Sequence, residues 1–125
     1  MAEKKIILAI DDNIQQLNEY KNMLTGIYDL RVLKSASEAV NFLNRNKAEP
    51  SIDAILLDIE MPGISGFELL SEIKNIHGYM KTPIIIVSGN SDQEFLKRAN
   101  ESEVSCVLIK PVSQDRLIAA IEKAD

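Results

Sequence analysis

The chain has 125 residues, of which 46% are hydrophobic and 26% charged, and its formal net charge at pH 7 is −5. That length supports one proper core and not two, so a single domain over residues 1–125 is expected. An acidic balance with no basic run argues against a nucleic-acid-binding surface. No apolar run approaches the roughly 18 residues of a membrane span, and a lone cysteine, Cys106, excludes an internal disulfide or a cysteine-based zinc site.

The N-terminal MAEKKIILAI carries two lysines but only five consecutive apolar residues, Ile6–Ile10, before Asp11 and Asp12. This is too short for a signal-peptide core and reads as a first strand, so a cytoplasmic location is expected. Ile14, Leu17, Tyr20 and Leu24 come next at near-helical spacing, and Gly26 stands where a helix end calls for a left-handed residue. A second apolar run, Leu30–Leu33, precedes Ser35 and Glu38, a capping box for a helix with Ala39, Val40 and Leu43 on one face. The third run, Ala54–Leu57, ends on Asp58 with Glu60 two residues on, and Pro62, Gly63 and Gly66 then break the chain. Leu69, Leu70, Ile73 and Ile76 form the next helical stripe, and His77, the only histidine, reads as a solvated residue of a helix-end loop. The fourth run, Ile84–Val87, leads to Ser88 and to a second capping box, Ser91 with Glu94, ahead of Phe95, Leu96 and Ala99. The fifth, Cys106–Ile109, holds Cys106 as a small buried strand residue and is followed by Lys110 and Pro111. Ser113 then caps a last helix bearing Leu117, Ile118 and Ile121.

Four of the five runs are continuous rather than alternating, as parallel strands covered on both faces require. Five strands and five helices in strict alternation predict an α/β fold: a doubly wound, five-stranded parallel sheet of flavodoxin-like order 2-1-3-4-5. Ligands in such sheets bind outside the carboxyl ends of the strands, where strand order reverses. There the chain places Asp11 and Asp12 after strand 1, Asp58 after strand 3, Ser88 after strand 4 and Lys110 after strand 5. Three carboxylates in one crevice raise one another's pKa unless a cation joins them. Hard oxygen donors in a small open site favour Mg²⁺, and a hydroxyl with an ammonium at the same rim suits phosphoryl oxygens. An Asp–Asp pair alone is commonly a helix cap, and Lys-Pro alone a turn. Together these residues read as a magnesium-assisted phosphate site with Asp58 as candidate nucleophile.

With "DD" at 11–12, "LLDIEMPGISGFELL" at 56–70, "PIIIVSG" at 83–89 and "IKP" at 109–111, the chain resembles the receiver domain of two-component response regulators over essentially its whole length. The resemblance implies that Asp58 accepts a phosphoryl group from the phosphohistidine of a histidine kinase or histidine phosphotransfer protein. It further implies direct ligation of Mg²⁺ by Asp12, ligation through water by Asp11, and the backbone carbonyl of Glu60 as another ligand. Ser88 would bond the phosphoryl oxygens, Lys110 would pair with the acceptor carboxylate and then the phosphate, and the Lys110–Pro111 bond would be cis. Pro62, Gly63 and Gly66 would shape the loop around the nucleophile.

Four positions depart from the family pattern. Val107 stands where an aromatic is usual, Glu103 and Val104 replace a Gly-Ala pair, and Val112 comes after Lys-Pro where an aromatic is common. The chemistry is untouched by these changes, but the usual signal-transmitting ring is missing, so an atypical output switch toward a downstream domain or protein is expected. Two rival readings stand beside this one. A pseudo-receiver, acting as an interaction module without phosphate, would fail to accept a phosphoryl group from a small donor. A phosphohydrolase working through an aspartyl phosphate, faintly echoed by "DIE" at 58–60, would turn over a phosphomonoester repeatedly, but it would need a further acidic motif after the lysine. Nucleotide binding is weaker still, because no glycine-rich loop comes after strand 1.

Overall fold

A computed structural model of the chain describes residues 4–45, 52–61, 64–76 and 78–124. Along them run β1 (Ile6–Ile10), α1 (Ile14–Leu24), β2 (Asp29–Leu33), α2 (Ala36–Arg45), β3 (Ile52–Leu57), β4 (Glu60–Met61), β5 (Ile64–Ser65) and α3 (Gly66–Asn75). Then come β6 (Ile84–Ser88), α4 (Gln93–Glu101), β7 (Cys106–Ile109) and α5 (Gln114–Lys123). The main sheet is parallel, in the order β2-β1-β3-β6-β7. With the two-residue strands β4 and β5 set aside as a separate antiparallel ribbon, this is the expected 2-1-3-4-5 topology. Pro62, Gly63 and His77 lie outside the described residues, so the loop-shaping role expected of the first two and the surface role expected of the third lie outside them as well.

The continuous apolar runs have the anticipated cause. Successive residues of a strand point to opposite faces, and here both faces are covered. Leu8, Ile10, Ile55, Leu57, Ile84 and Ile86 pack in the core under α2, α3 and α4. Their neighbours Ile7, Ala9, Ala54, Leu56, Ile85 and Val87 pack against α1 and α5. The edge strands are less covered, and Cys106, expected to be buried, is half-buried because β7 is an edge.

Helix ends obey local hydrogen bonding. Ser35 Oγ accepts from Glu38 N, while the Glu38 carboxylate accepts from Lys34 N, a capping box displaced by one residue. Ser113 caps α5 through Arg116 N. Gly26 adopts φ +94°, a left-handed conformation that side-chain-bearing residues avoid. The second expected box is corrected: Asp92, not Ser91, caps α4, its carboxylate accepting from Glu94 N at 2.9 Å. Phe67 and Phe95, from the first turns of α3 and α4, meet at a tilt of 57° with ring centroids 6.0 Å apart, and the Arg98 guanidinium lies 4.0 Å over the Phe67 ring.

Gly66 is required by a close approach. Its N–H donates to the Ile59 carbonyl (3.2 Å), and a Cβ there would run into the main chain of Ile59. Backbone cannot yield as a flexible side chain can, so Gly66→Ala is expected to destabilise the fold by about 2–3 kcal/mol. Urea unfolding measures this; a loss within about 0.5 kcal/mol, the range of an ordinary surface exchange, would contradict it.

Candidate functional site

The sheet registers its functional residues by extending the ladder one step past the strand ends. Asp11 N donates to Leu33 O (3.1 Å), Asp58 N to Ile10 O (3.0 Å) and Lys110 N to Ser88 O (2.8 Å). Because Ile10 pairs with Leu57 across β1 and β3, the next residues, Asp11 and Asp58, stand side by side. Both are buried, at 0% and 6% exposure, and Ser88 is wholly buried as the last residue of β6.

Lys110 bridges the two acids. Its ammonium donates to Asp11 Oδ2 at 2.9 Å and to Asp58 Oδ2 at 3.2 Å. Burial by itself would lower the Lys110 pKa; the hydrogen bond to Asp11 and the charges of Asp58 and Asp11 outweigh it and hold the pKa above its usual value. The other oxygens are also engaged: Asp11 Oδ1 accepts from Asn13 N, and Asp58 Oδ1 from Glu60 N, each at 2.9 Å. Burial pushes the Asp58 carboxyl up to about 6. The Glu60 N–H acts downward, the Asp11 charge adds to the rise, and Lys110 opposes it. The Lys110–Pro111 bond is cis.

Asp12 is exposed beside this pair, and one carboxylate oxygen from each of Asp11, Asp12 and Asp58 can be chosen so that all lie within 4.8 Å of one another. Three hard anionic donors balanced by one ammonium fit a divalent cation that prefers oxygen and keeps part of its water shell, as Mg²⁺ does. Ser88 reaches the rim, where its hydroxyl is engaged by residues other than Asp58. Its Oγ donates to Glu60 Oε1 at 3.2 Å and accepts from Asn90 N, also at 3.2 Å. Asn90 Nδ2 donates to Glu60 Oε2 at 3.4 Å. Asp11, Asp12, Asp58, Glu60, Ser88 and Lys110 thus converge, Glu60 doing so through its side chain as well. Asn13, which caps α1 through Gln16 N and holds Asp11 through its own N–H, is not among them, although an Asn one residue before a helical stripe is a cap signal.

The family model described as the response regulator receiver domain matches residues 7–122. The chain belongs to this family. The receiver domain is 28% identical to the two-component response regulator ARR5 of Arabidopsis thaliana, with 94% of this chain and 73% of that protein covered. It is 30% identical to the CAI-1 autoinducer sensor kinase/phosphatase CqsS of Vibrio cholerae, where 90% of this chain matches only 16% of that protein. The crystal structure of a response regulator receiver domain protein from Clostridium thermocellum superposes with a TM-score of 0.83 at 31% identity, covering 95% of this chain and 92% of the other. The receiver domain is therefore a signalling module of two-component systems, carrying an acidic pocket at the carboxyl edge of its sheet. Among the described residues, no helix is long and apolar enough to cross a membrane.

Proposed function

We propose that this receiver domain accepts a phosphoryl group on Asp58 from the phosphohistidine of a histidine kinase or histidine phosphotransfer protein, in the cytoplasm, and signals the change to a downstream domain or protein. The observation that carries the reading is the buried Asp58 carboxylate, set at the rim of the sheet with Lys110 shared between it and Asp11. One Asp58 oxygen attacks phosphorus, a P–O bond forms as the P–N bond breaks, and the imidazole departs with the electron pair and takes a proton. Rigid placement at the end of β3 supplies orientation, the main component of phosphoryl-transfer catalysis. Lys110 moves from the carboxylate to the phosphoryl oxygens, and Ser88 donates its hydroxyl to another of them. Asp11, Asp12, Asp58 and the Glu60 carbonyl would hold Mg²⁺, which supplies charge neutralisation between acceptor and phosphate. Incubation with acetyl phosphate and Mg²⁺, then intact mass, tests this: one added phosphoryl group is expected, and none would favour a pseudo-receiver.

Output is expected to be atypical. Val107 is half-buried and packs against the core that α2, α3 and α4 cover. Valine is small and stiff about χ1, and it cannot fill and vacate space as a swinging ring would. Activation should therefore act on the Ser88–Asn90 loop and the start of α4, leaving β7 and α5 nearly unchanged. Hydrogen exchange with and without beryllofluoride and Mg²⁺ should show altered protection over Ser88–Phe95. Equal changes across Cys106–Ile109 and Leu117–Ile121 would contradict this.

A further inference from the structure

The structure assigns to Glu60 a role as an internal anion that occupies the hydroxyl meant for the phosphoryl group, with Asn90 relaying its removal to α4. The inference rests on the phosphoacceptor reading and adds a device to it. Ser88 Oγ has one proton to give, and in this state it gives it to Glu60 Oε1. A phosphoryl group on Asp58 that takes the Ser88 hydroxyl must therefore evict the Glu60 carboxylate, and like charge drives the eviction further.

Asn90 stands at the centre of the exchange. Its Nδ2 donates to Glu60 Oε2, its N–H to Ser88 Oγ, and its Oδ1 accepts from Asp92 N at 2.8 Å. Asp92 is the N-cap of α4. A continuous series of hydrogen bonds thus runs from Glu60 through Asn90 and Asp92 into the first turn of α4, and it needs no aromatic on β7. When Glu60 leaves, the Asn90 amide loses the partner on one side and is free to reorient, which slackens its hold on Asp92 and on the cap. The same competition opposes activation, because every anion bound at Asp58 must first displace Glu60 from Ser88.

The test titrates beryllofluoride at saturating Mg²⁺ into the ¹⁵N-labelled chain and into Glu60→Ala, Glu60→Gln, Ser88→Ala and the Glu60→Ala/Ser88→Ala pair. Amides from Ser88 to Glu94 are monitored. Glu60 is exposed, so its exchange leaves the core intact. Glu60→Ala is expected to bind about tenfold more tightly than wild type, in keeping with loss of a charged hydrogen bond. Glu60→Gln, whose amide oxygen still accepts from Ser88, should gain less. In the Ser88→Ala background, Glu60→Ala should add less than about twofold, the signature of coupled neighbours in a double-mutant cycle. Without beryllofluoride, Glu60→Ala should already move the Asp92–Glu94 amides part of the way toward their bound positions. Equal affinity in Glu60→Ala and wild type, or the same gain with and without the Ser88 hydroxyl, overturns the inference while leaving the phosphoacceptor reading in place. If no variant responds to beryllofluoride, the phosphoacceptor reading itself fails.

Discussion

Asp58→Asn is expected to abolish phosphoryl uptake from acetyl phosphate, and EDTA to suppress it in the wild type, with intact mass as the readout. The amide keeps the shape of the carboxylate and can still accept from Glu60 N, so a loss would report the missing nucleophile rather than a collapsed loop. Full uptake by the variant would place the acceptor elsewhere. Because burial raises the metal-free Asp58 carboxyl to about 6, the carboxylate is depleted as pH falls through 6, and Mg²⁺ binding, which needs it, should weaken between about pH 7 and 5. The same shift has a stability counterpart of defined sign. A carboxyl whose pKa is higher folded than unfolded binds its proton more tightly in the native state. Its favourable contribution is complete below about pH 4 and is lost as pH rises toward 6. Asp58→Asn should therefore melt above wild type at pH 8 and close to it near pH 4; a variant less stable at pH 8 would show that the carboxylate is not a burden on the fold.

Lys110→Ala is expected to produce the largest loss of stability at the site. It removes the ammonium that, alone among the described residues, touches both buried carboxylates, at 2.9 and 3.2 Å, and leaves Asp11 and Asp58 facing each other. Deleting one partner of a buried ion pair costs about 3–5 kcal/mol, less whatever Asp58 recovers by taking a proton. The thermal midpoint without metal should therefore fall by several degrees at pH 8 and by less at pH 5. Mg²⁺ should restore part of the loss and bind at least as tightly as to wild type, because a competing cation has gone. Spectral changes that depend on the phosphoryl group should weaken. A metal-free melt unchanged from wild type would mean that Lys110 does not neutralise the pair.

Much of this arrangement is legible in the chain because a parallel sheet covered on both faces writes itself as unbroken apolar runs, and the residue after each run must lie at one rim. Asp11, Asp58, Ser88 and Lys110 can be placed that way from order alone. Contacts set by competition between equals cannot. "SDQE" offers both Ser91 and Asp92 as caps for α4, and only backbone geometry chooses Asp92. The ribbon of Glu60–Met61 with Ile64–Ser65 is too short for any periodicity to betray it. The bond between Glu60 and Ser88 joins residues 28 apart in sequence, so nothing local announces it. Cys106 reads as buried until strand order makes β7 an edge.

The pairing of Phe67 with Phe95 under Arg98 has a mechanical consequence. Both rings ride one turn from loops that frame Asp58, on helices of unequal freedom: α3 is anchored at its first residue, where Gly66 is pressed against Ile59. α4 begins from the hydrogen-bonded loop at Ser88–Asp92. A tilted ring pair and a cation over a ring face resist sliding far less sharply than directional hydrogen bonds would. A displacement at the loop can therefore be taken up between the two rings, so that the first turn of α4 is expected to shift while α3 keeps its place.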